Sequence, residues 1–233
     1  MTTQQHTLVL VRHGHSEWNL HDRFTGWTDI LLTDIGLQEA NNCGNLLASH
    51  GFQFDEIHQS VLQRSRQTAE QILLGAGHTN IPSFSDWRLN ERHYGSLQGM
   101  SKTEIFEKWG EHQSYAWWRG YETSPPALEP SDPRHPCHDP LYTDINPELL
   151  PHSESLQQCQ QRTIHYWQQH IIPRIKSGKR LLIVSHGNTM RALCMKIENI
   201  SSHDIEQLEI PAAEPLVYHF NNDMELLEVK WIK

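Results

Sequence analysis

Leu8-Val9-Leu10-Val11-Arg12-His13-Gly14 near the start of the chain and Leu181-Leu182-Ile183-Val184-Ser185-His186-Gly187 near its end share one pattern: an apolar run, one polar residue, then His-Gly. Short apolar runs without polar alternation suit strands buried on both faces of a parallel sheet. Such sheets hold ligands in the crevice beyond the carboxyl ends of their strands, so both histidines are expected in one crevice. Arg12 beside His13 adds a permanent positive charge. A nucleophile, a second imidazole and a guanidinium together suit a phosphate.

The chain has 233 residues, enough to bury a sizeable core, and a single α/β domain over residues 1–233 is expected. A hydrophobic fraction of 37% and a mean hydropathy of −0.62 describe a soluble protein with no membrane partner. The opening Met1-Thr2-Thr3-Gln4-Gln5-His6 lacks the apolar core of a signal peptide. Cys43, Cys137, Cys159 and Cys194 are scattered with no CxxC, which argues against a zinc ribbon, a redox motif or a disulfide framework. A cytoplasmic location is expected. The formal net charge of −9 argues against nucleic acid as a partner. It does not exclude a small anion, because screening confines charge effects to about 8 Å and a local arginine cluster can outweigh a distant acidic surface.

Residues 13–33 are rich in Gly, Asn, Asp and Trp and are expected as a loop over the strand end. Thr33 offers an N-cap for a helix running to Gly51, followed by a short strand from Phe54 to Ile57. Ala69, Ile72 and Leu73 predict a helix over 62–74 with Arg64 in its first turn, near the mouth of the sheet. A strand over 83–89 leads into the charged loop Asn90-Glu91-Arg92-His93-Tyr94-Gly95, and short helices follow around 101–118. Residues 124–151 hold most of the twelve prolines and are expected as an ordered, irregular excursion anchored by Leu128, Leu141, Tyr142, Ile145 and Leu149. A long helix over 153–172 precedes the second His-Gly strand. Asn188 begins the next helix, and residues 215–232 form a hairpin around Asn221-Asn222-Asp223.

Seventeen histidines make any single one uninformative, but His13 follows a buried strand and is flanked by Arg12 and Gly14. Gly14 lets backbone approach a ligand, and Arg12 can orient a phosphate bidentately. To attack phosphorus the imidazole must be neutral, so a backbone carbonyl is expected to hold its other N–H. His186 is expected to donate to the oxygens of the transferring phosphoryl group. Asn188 opens a helix whose N–H groups can face an anion, or it is a plain N-cap. Arg64 is either a third phosphate ligand or a solvated charge. Glu91, possible partner of Arg88 or Arg92, can exchange a proton with a substrate hydroxyl. His13 with His15, and His135 with His138, are weak metal spacings, so no metal is expected. Trp109, Trp117 and Trp118 are expected to pack.

The segments LVLVRHGHSEWN (8–19), RFTGWTD (23–29), SVLQRSRQTA (60–69), LNERHYGSLQGM (89–100), HDPLY (138–142) and SHGNTMRAL (185–193) resemble the histidine phosphatase superfamily. Within it they resemble the cofactor-dependent (2,3-bisphosphoglycerate) phosphoglycerate mutases, over nearly the whole chain. The resemblance implies a three-layer α/β sandwich, a mostly parallel central sheet flanked by helices. It implies that His13 becomes phosphohistidine, that Glu91 donates and accepts the proton, and that Arg12, Arg64 and His186 surround the phosphoryl group. Ser16, Asn19, Thr25, Gly26, Arg92, Tyr94, Lys102, Arg119, Gly187 and Asn188 would contact substrate. The implied reaction interconverts 3-phosphoglycerate and 2-phosphoglycerate, primed by 2,3-bisphosphoglycerate and without a metal.

His15 stands where these mutases carry Glu, which changes the charge beside the nucleophile. Trp118 stands where they carry the first of two arginines, leaving Arg119 alone at the substrate's anionic end. A lost charge-assisted bond costs about 1.5 to 3 kcal/mol, so weaker binding is expected. The end at Lys233, without the longer tail many relatives carry, points to easier water access and phosphatase leakage. Two alternatives stand beside the mutase: a phosphatase of a small phosphorylated metabolite using the same phosphohistidine, and a non-catalytic paralogue that binds a phosphorylated ligand. A homo-oligomer is left open.

Overall fold

Strand β1 (His6–Arg12) lies at the centre of the sheet, and its alternation sorts the rest of the chain into layers. The computed structural model describes residues 5–78 and 80–233, so most of the polar opening segment lies outside it. Leu8 and Leu10 point to one face and pack with Trp167, Ile171, Met190 and Leu193. Val9 and Val11 point to the other and pack with Cys43, Leu47, Ala69 and Ile72. All four are 0% exposed. Burying each side chain contributes about 1.5 to 3 kcal/mol, which fixes β1 as a doubly covered strand.

The sheet is completed by β2 (Glu56–Gln59), β3 (Ser83–Ser85), β4 (Leu181–Ser185), β5 (Pro215–Phe220) and β6 (Leu226–Trp231), in the order β3-β2-β4-β1-β5-β6. The first four of that order are mutually parallel, while β5 and β6 run antiparallel as the expected hairpin. A short helix α1 (Glu17–Leu20) interrupts the loop after β1. Helices α2 (Asp34–Ser49) and α3 (Gln63–Gly75) cover one face. Helices α4 (Lys102–Trp109) and α5 (Glu111–Trp118) lie to the side of the strand ends, while α6 (Leu156–Tyr166), α7 (Ile172–Lys176) and α8 (Gly187–Glu198) belong to the opposite face. The result is the three-layer α/β arrangement with a mostly parallel sheet.

Several boundaries differ from the sequence expectation. The second strand starts at Glu56 because Asp55 is tied into a turn by Arg180, whose N–H donates to Oδ2 at 2.7 Å, and Phe54 packs in the core ahead of it. The third strand stops at Ser85, where the Asp86 carboxylate accepts from Arg88 N–H and winds Trp87–Leu89 into a 3₁₀ turn. The helix expected over 153–172 starts at Leu156 behind a Ser155 capping box and passes through a π turn at Trp167–Ile171. Pro173 lacks an N–H and presses on the preceding turn, and the wider π step accommodates it. Helix α8 begins at Gly187 with His186 as its N-cap, so Asn188 lies inside it.

The proline-rich excursion is ordered around three 3₁₀ turns, Pro136–His138, Pro140–Tyr142 and Pro147–Leu149. Its anchors are Leu128, Tyr142 and Leu150, with Ile145 partly buried, whereas Leu141 and Leu149 face solvent. Tyr142 packs on Trp27 and its hydroxyl accepts from Asn90 Nδ2 at 2.9 Å, so the excursion braces the loop that carries Glu91. No helix among the described residues is long and apolar enough to cross a membrane.

Candidate active site

Register brings the two His-Gly steps together. Arg12 pairs with Ser185 across the parallel β1–β4 ladder, and His13 N–H donates to the Ser185 carbonyl at 2.9 Å. The His13 and His186 rings leave the sheet with centroids 5.0 Å apart. His13 Nδ1 lies 2.8 Å from the Gly14 carbonyl. A carbonyl only accepts, so Nδ1 carries the hydrogen and Nε2 keeps its lone pair. His186 Nε2 lies 2.7 Å from Ser60 Oγ, and its Nδ1 is buried without a partner. Ser60 Oγ accepts from Leu62 N–H, and among the described residues Nε2 is the one acceptor its own hydrogen meets, so Nδ1 carries the imidazole hydrogen and is a donor. Burial, reinforced by the Arg64 charge, holds both imidazoles well below the ordinary histidine range, so both are neutral at pH 7.

Gly14 meets a packing demand of the fold. A Cβ there would lie 2.3 Å from the Gly36 carbonyl oxygen, so glycine permits the first turn of α2 to sit against the end of β1.

Arg64 is 1% exposed, and its Nη1 and Nη2 donate to the carbonyls of Thr28 (2.9 Å) and Gly26 (2.7 Å). Arg12 Nη1 donates to the Ile210 carbonyl at 2.8 Å. The Nε of each arginine is buried without a partner. Leaving a buried charged donor unpaired is costly, and two of them near an equally unpaired imidazole N–H prepare a place for an anion. Burial lowers the Arg64 pKa to about 10, which keeps it cationic at neutral pH.

Glu91 pairs with neither Arg88 nor Arg92 through a guanidinium. Arg88 binds Asp86 at 2.7 Å, and Arg92 donates to the carbonyls of Trp117 and Trp118. Glu91 Oε1 instead accepts from the N–H groups of Arg92 (2.7 Å) and Asn188 (3.2 Å). The Glu91 carbonyl accepts from Trp27 Nε1 (2.6 Å) and Arg162 Nη2 (2.8 Å). Arg162 is itself held by Glu154, Nε to Oε1 at 2.6 Å, in a buried ion pair beneath this loop.

A cavity of about 270 Å³ opens at this site. Arg12, His13, Arg64 and Glu91 line it, together with Asn19, Thr25, Gly26, Tyr94, Lys102, Arg119, Gly187 and Asn188. Ser16, Arg92 and His186 do not: Ser16 is 0% exposed at the start of α1, Arg92 is 0% exposed among backbone carbonyls, and His186 is 0% exposed with its ring 5.0 Å from that of His13. Trp118 lines the cavity with Lys102 Nζ 4.1 Å from its ring centroid, a cation–π contact, whereas Trp109 and Trp117 pack on each other. Asp22, Arg23, Arg191 and Glu209 also line it. Arg191 had a signal, lying one helical turn after Asn188, whose Oδ1 accepts from its Nη1 at 2.9 Å. Glu209 had none, since it stands in an irregular segment remote in sequence from every motif. Among the described residues no group of three or more His, Cys, Asp or Glu side chains is arranged to hold a metal ion.

The sequence profile of the histidine phosphatase superfamily (branch 1) matches residues 8–231. A 2,3-bisphosphoglycerate-dependent phosphoglycerate mutase of Hamiltonella defensa subsp. Acyrthosiphon pisum (strain 5AT) is 47% identical over 218 residues, covering 94% of this chain and 88% of that protein. Among solved structures, YhfR of Bacillus stearothermophilus superposes with a TM-score of 0.71 at 24% identity, covering 95% of this chain and 94% of that one. A mycobacterial glucosyl-3-phosphoglycerate phosphatase superposes with a TM-score of 0.70 at 20% identity, covering 97% of each chain. Those two likenesses concern the fold. The chain belongs to the histidine phosphatase superfamily, in its branch 1, alongside the 2,3-bisphosphoglycerate-dependent phosphoglycerate mutases.

Proposed function

We propose that this protein interconverts 3-phosphoglycerate and 2-phosphoglycerate through a phosphohistidine on His13. The observation that carries this is the fixed His13 tautomer, Nδ1–H on the Gly14 carbonyl and the Nε2 lone pair free, beside unpartnered N–H groups of Arg12, Arg64 and His186. A sequence relative 47% identical to it, a 2,3-bisphosphoglycerate-dependent phosphoglycerate mutase, supports the same reading.

In this mechanism His13 Nε2 attacks phosphorus and carries the phosphoryl group. Arg12 and Arg64 balance the charge on its non-bridging oxygens, and His186 Nδ1–H donates to one of them. Glu91, oriented by two backbone N–H groups, takes the proton from the accepting hydroxyl and returns it in reverse. Lys102, Arg119 and Tyr94 orient the rest of a small phosphorylated substrate. The cationic lining and the unpaired guanidinium N–H groups also fit 2,3-bisphosphoglycerate, held by the same residues. When bound, it supplies the phosphoryl group that primes His13.

Phosphorus NMR of 3-phosphoglycerate, with and without 2,3-bisphosphoglycerate, tests the proposal. The expected result is 2-phosphoglycerate formation that requires priming and is abolished in His13→Ala. Failure of the wild type to form 2-phosphoglycerate overturns it.

A further inference from the structure

The strap of residues 205–210 organises three arginines through its backbone. The Ile205 carbonyl accepts from Arg191 Nη2 (2.6 Å), those of Glu206 and Leu208 accept from Arg119 Nε (2.7 Å) and Nη2 (2.9 Å), and that of Ile210 accepts from Arg12 Nη1 (2.8 Å). Carbonyls orient a guanidinium without cancelling its charge. Glu209, on the same strap, does cancel one: its Oε1 lies 3.1 Å from Arg119 Nη1. Elsewhere on the same cavity, Asp22 Oδ1 lies 2.6 Å from Lys102 Nζ.

The cations of the cavity are therefore unevenly paired. At the His13 end, Arg12 and Arg64 hydrogen-bond only to carbonyls among the described residues, and the Glu91 carboxylate, which also lines the cavity, forms an ion pair with neither. At the other end, Lys102 and Arg119 each meet a carboxylate. The cations there are held in place, whereas the carboxylates face solvent: the Glu209 side chain is 78% exposed and that of Asp22 is 64% exposed. Exposed ion pairs are worth little and break readily.

We propose that Glu209 and Asp22 are specificity-determining residues that compete with the carboxylate of the substrate for Arg119 and Lys102. Each rotates into solvent as the substrate carboxylate binds, so both lower affinity for a phosphoester with an anionic tail and spare one with a neutral tail. This rests on the proposed substrate.

Isothermal titration of the wild type, Glu209→Gln and Asp22→Asn with 3-phosphoglycerate and with glycerol 3-phosphate tests it. The second ligand keeps the phosphate and replaces the carboxylate by a hydroxymethyl group. Each substitution is expected to tighten 3-phosphoglycerate roughly three- to tenfold, with less than about twofold change for glycerol 3-phosphate. In turnover assays the gain falls in KM rather than kcat. Unchanged or weaker 3-phosphoglycerate binding, equal shifts for the two ligands, or no binding by any of the three proteins overturns the inference. Glu209→Ala, read with the same ligands and a thermal melt, separates loss of charge from loss of fold. A wild type that binds 3-phosphoglycerate without forming 2-phosphoglycerate defeats the mutase proposal, while the affinity comparison still decides this one.

Discussion

Ser60 Oγ lies 2.7 Å from His186 Nε2 and leaves the other ring nitrogen, Nδ1, buried without a partner, the atom that the proposed mechanism gives to the phosphoryl group. Ser60→Ala removes that contact and lets the imidazole change tautomer or rotate. The expected effect is a fall in kcat of about tenfold, equivalent to ~1.4 kcal/mol, with KM little changed. Steady-state kinetics checks it, and a loss confined to KM would show that Ser60 acts on binding instead.

The Arg162–Glu154 pair is buried and holds the Glu91 carbonyl from below. Arg162→Met strands the Glu154 carboxylate and is expected to cost about 3 to 5 kcal/mol of stability in urea melts. Adding Glu154→Gln removes the stranded charge and recovers part of that loss. It leaves kcat low, because Glu91 still lacks its Arg162 donor. Recovery of kcat in the double variant would show that Arg162 does not position Glu91.

Four buried histidines, His13, His58, His93 and His186, are held below the ordinary range chiefly by burial, His58 at about 4 and His93 at about 3. A depressed native pKa means that below about 6.5 the unfolded chain binds more protons than the folded one. Stability therefore falls as pH falls through this window, by ~1.4 kcal/mol per pH unit for each such group. Denaturation midpoints measured between pH 7 and pH 4.5 should show this slope. His93→Gln, which keeps an acceptor for Gly95 N–H, should flatten it by one group's share. Parallel curves for the two proteins would contradict the assignment.

His15 Nδ1 lies 2.7 Å from Glu39 Oε1, so a carboxylate stands next to His15 even though the chain carries histidine there. His15→Glu sets two carboxylates against each other on a half-exposed surface. A loss of about 1 kcal/mol in thermal or urea melts is expected, recovered by Glu39→Gln in the same chain. No recovery would place the cost elsewhere.

The sequence by itself determined the doubly buried strands β1 and β4, because an uninterrupted apolar run can be satisfied only by cover on both faces. Their polar ends then forced His13 and His186 to one edge, and Arg64 followed from helical spacing. The short β3 and the π turn before Pro173 were not legible, since side-chain caps and tertiary fit set them. What only the tertiary structure decided is who holds the charges. Arg12, Arg64, Arg92, Arg119, Arg162 and Arg191 all donate to backbone carbonyls, and every residue type carries a carbonyl, so no sequence pattern announces those partners. Arg92 was thus withdrawn from the cavity and Glu209 brought into it across a long stretch of chain, by contacts that exist only once the sheet has assembled.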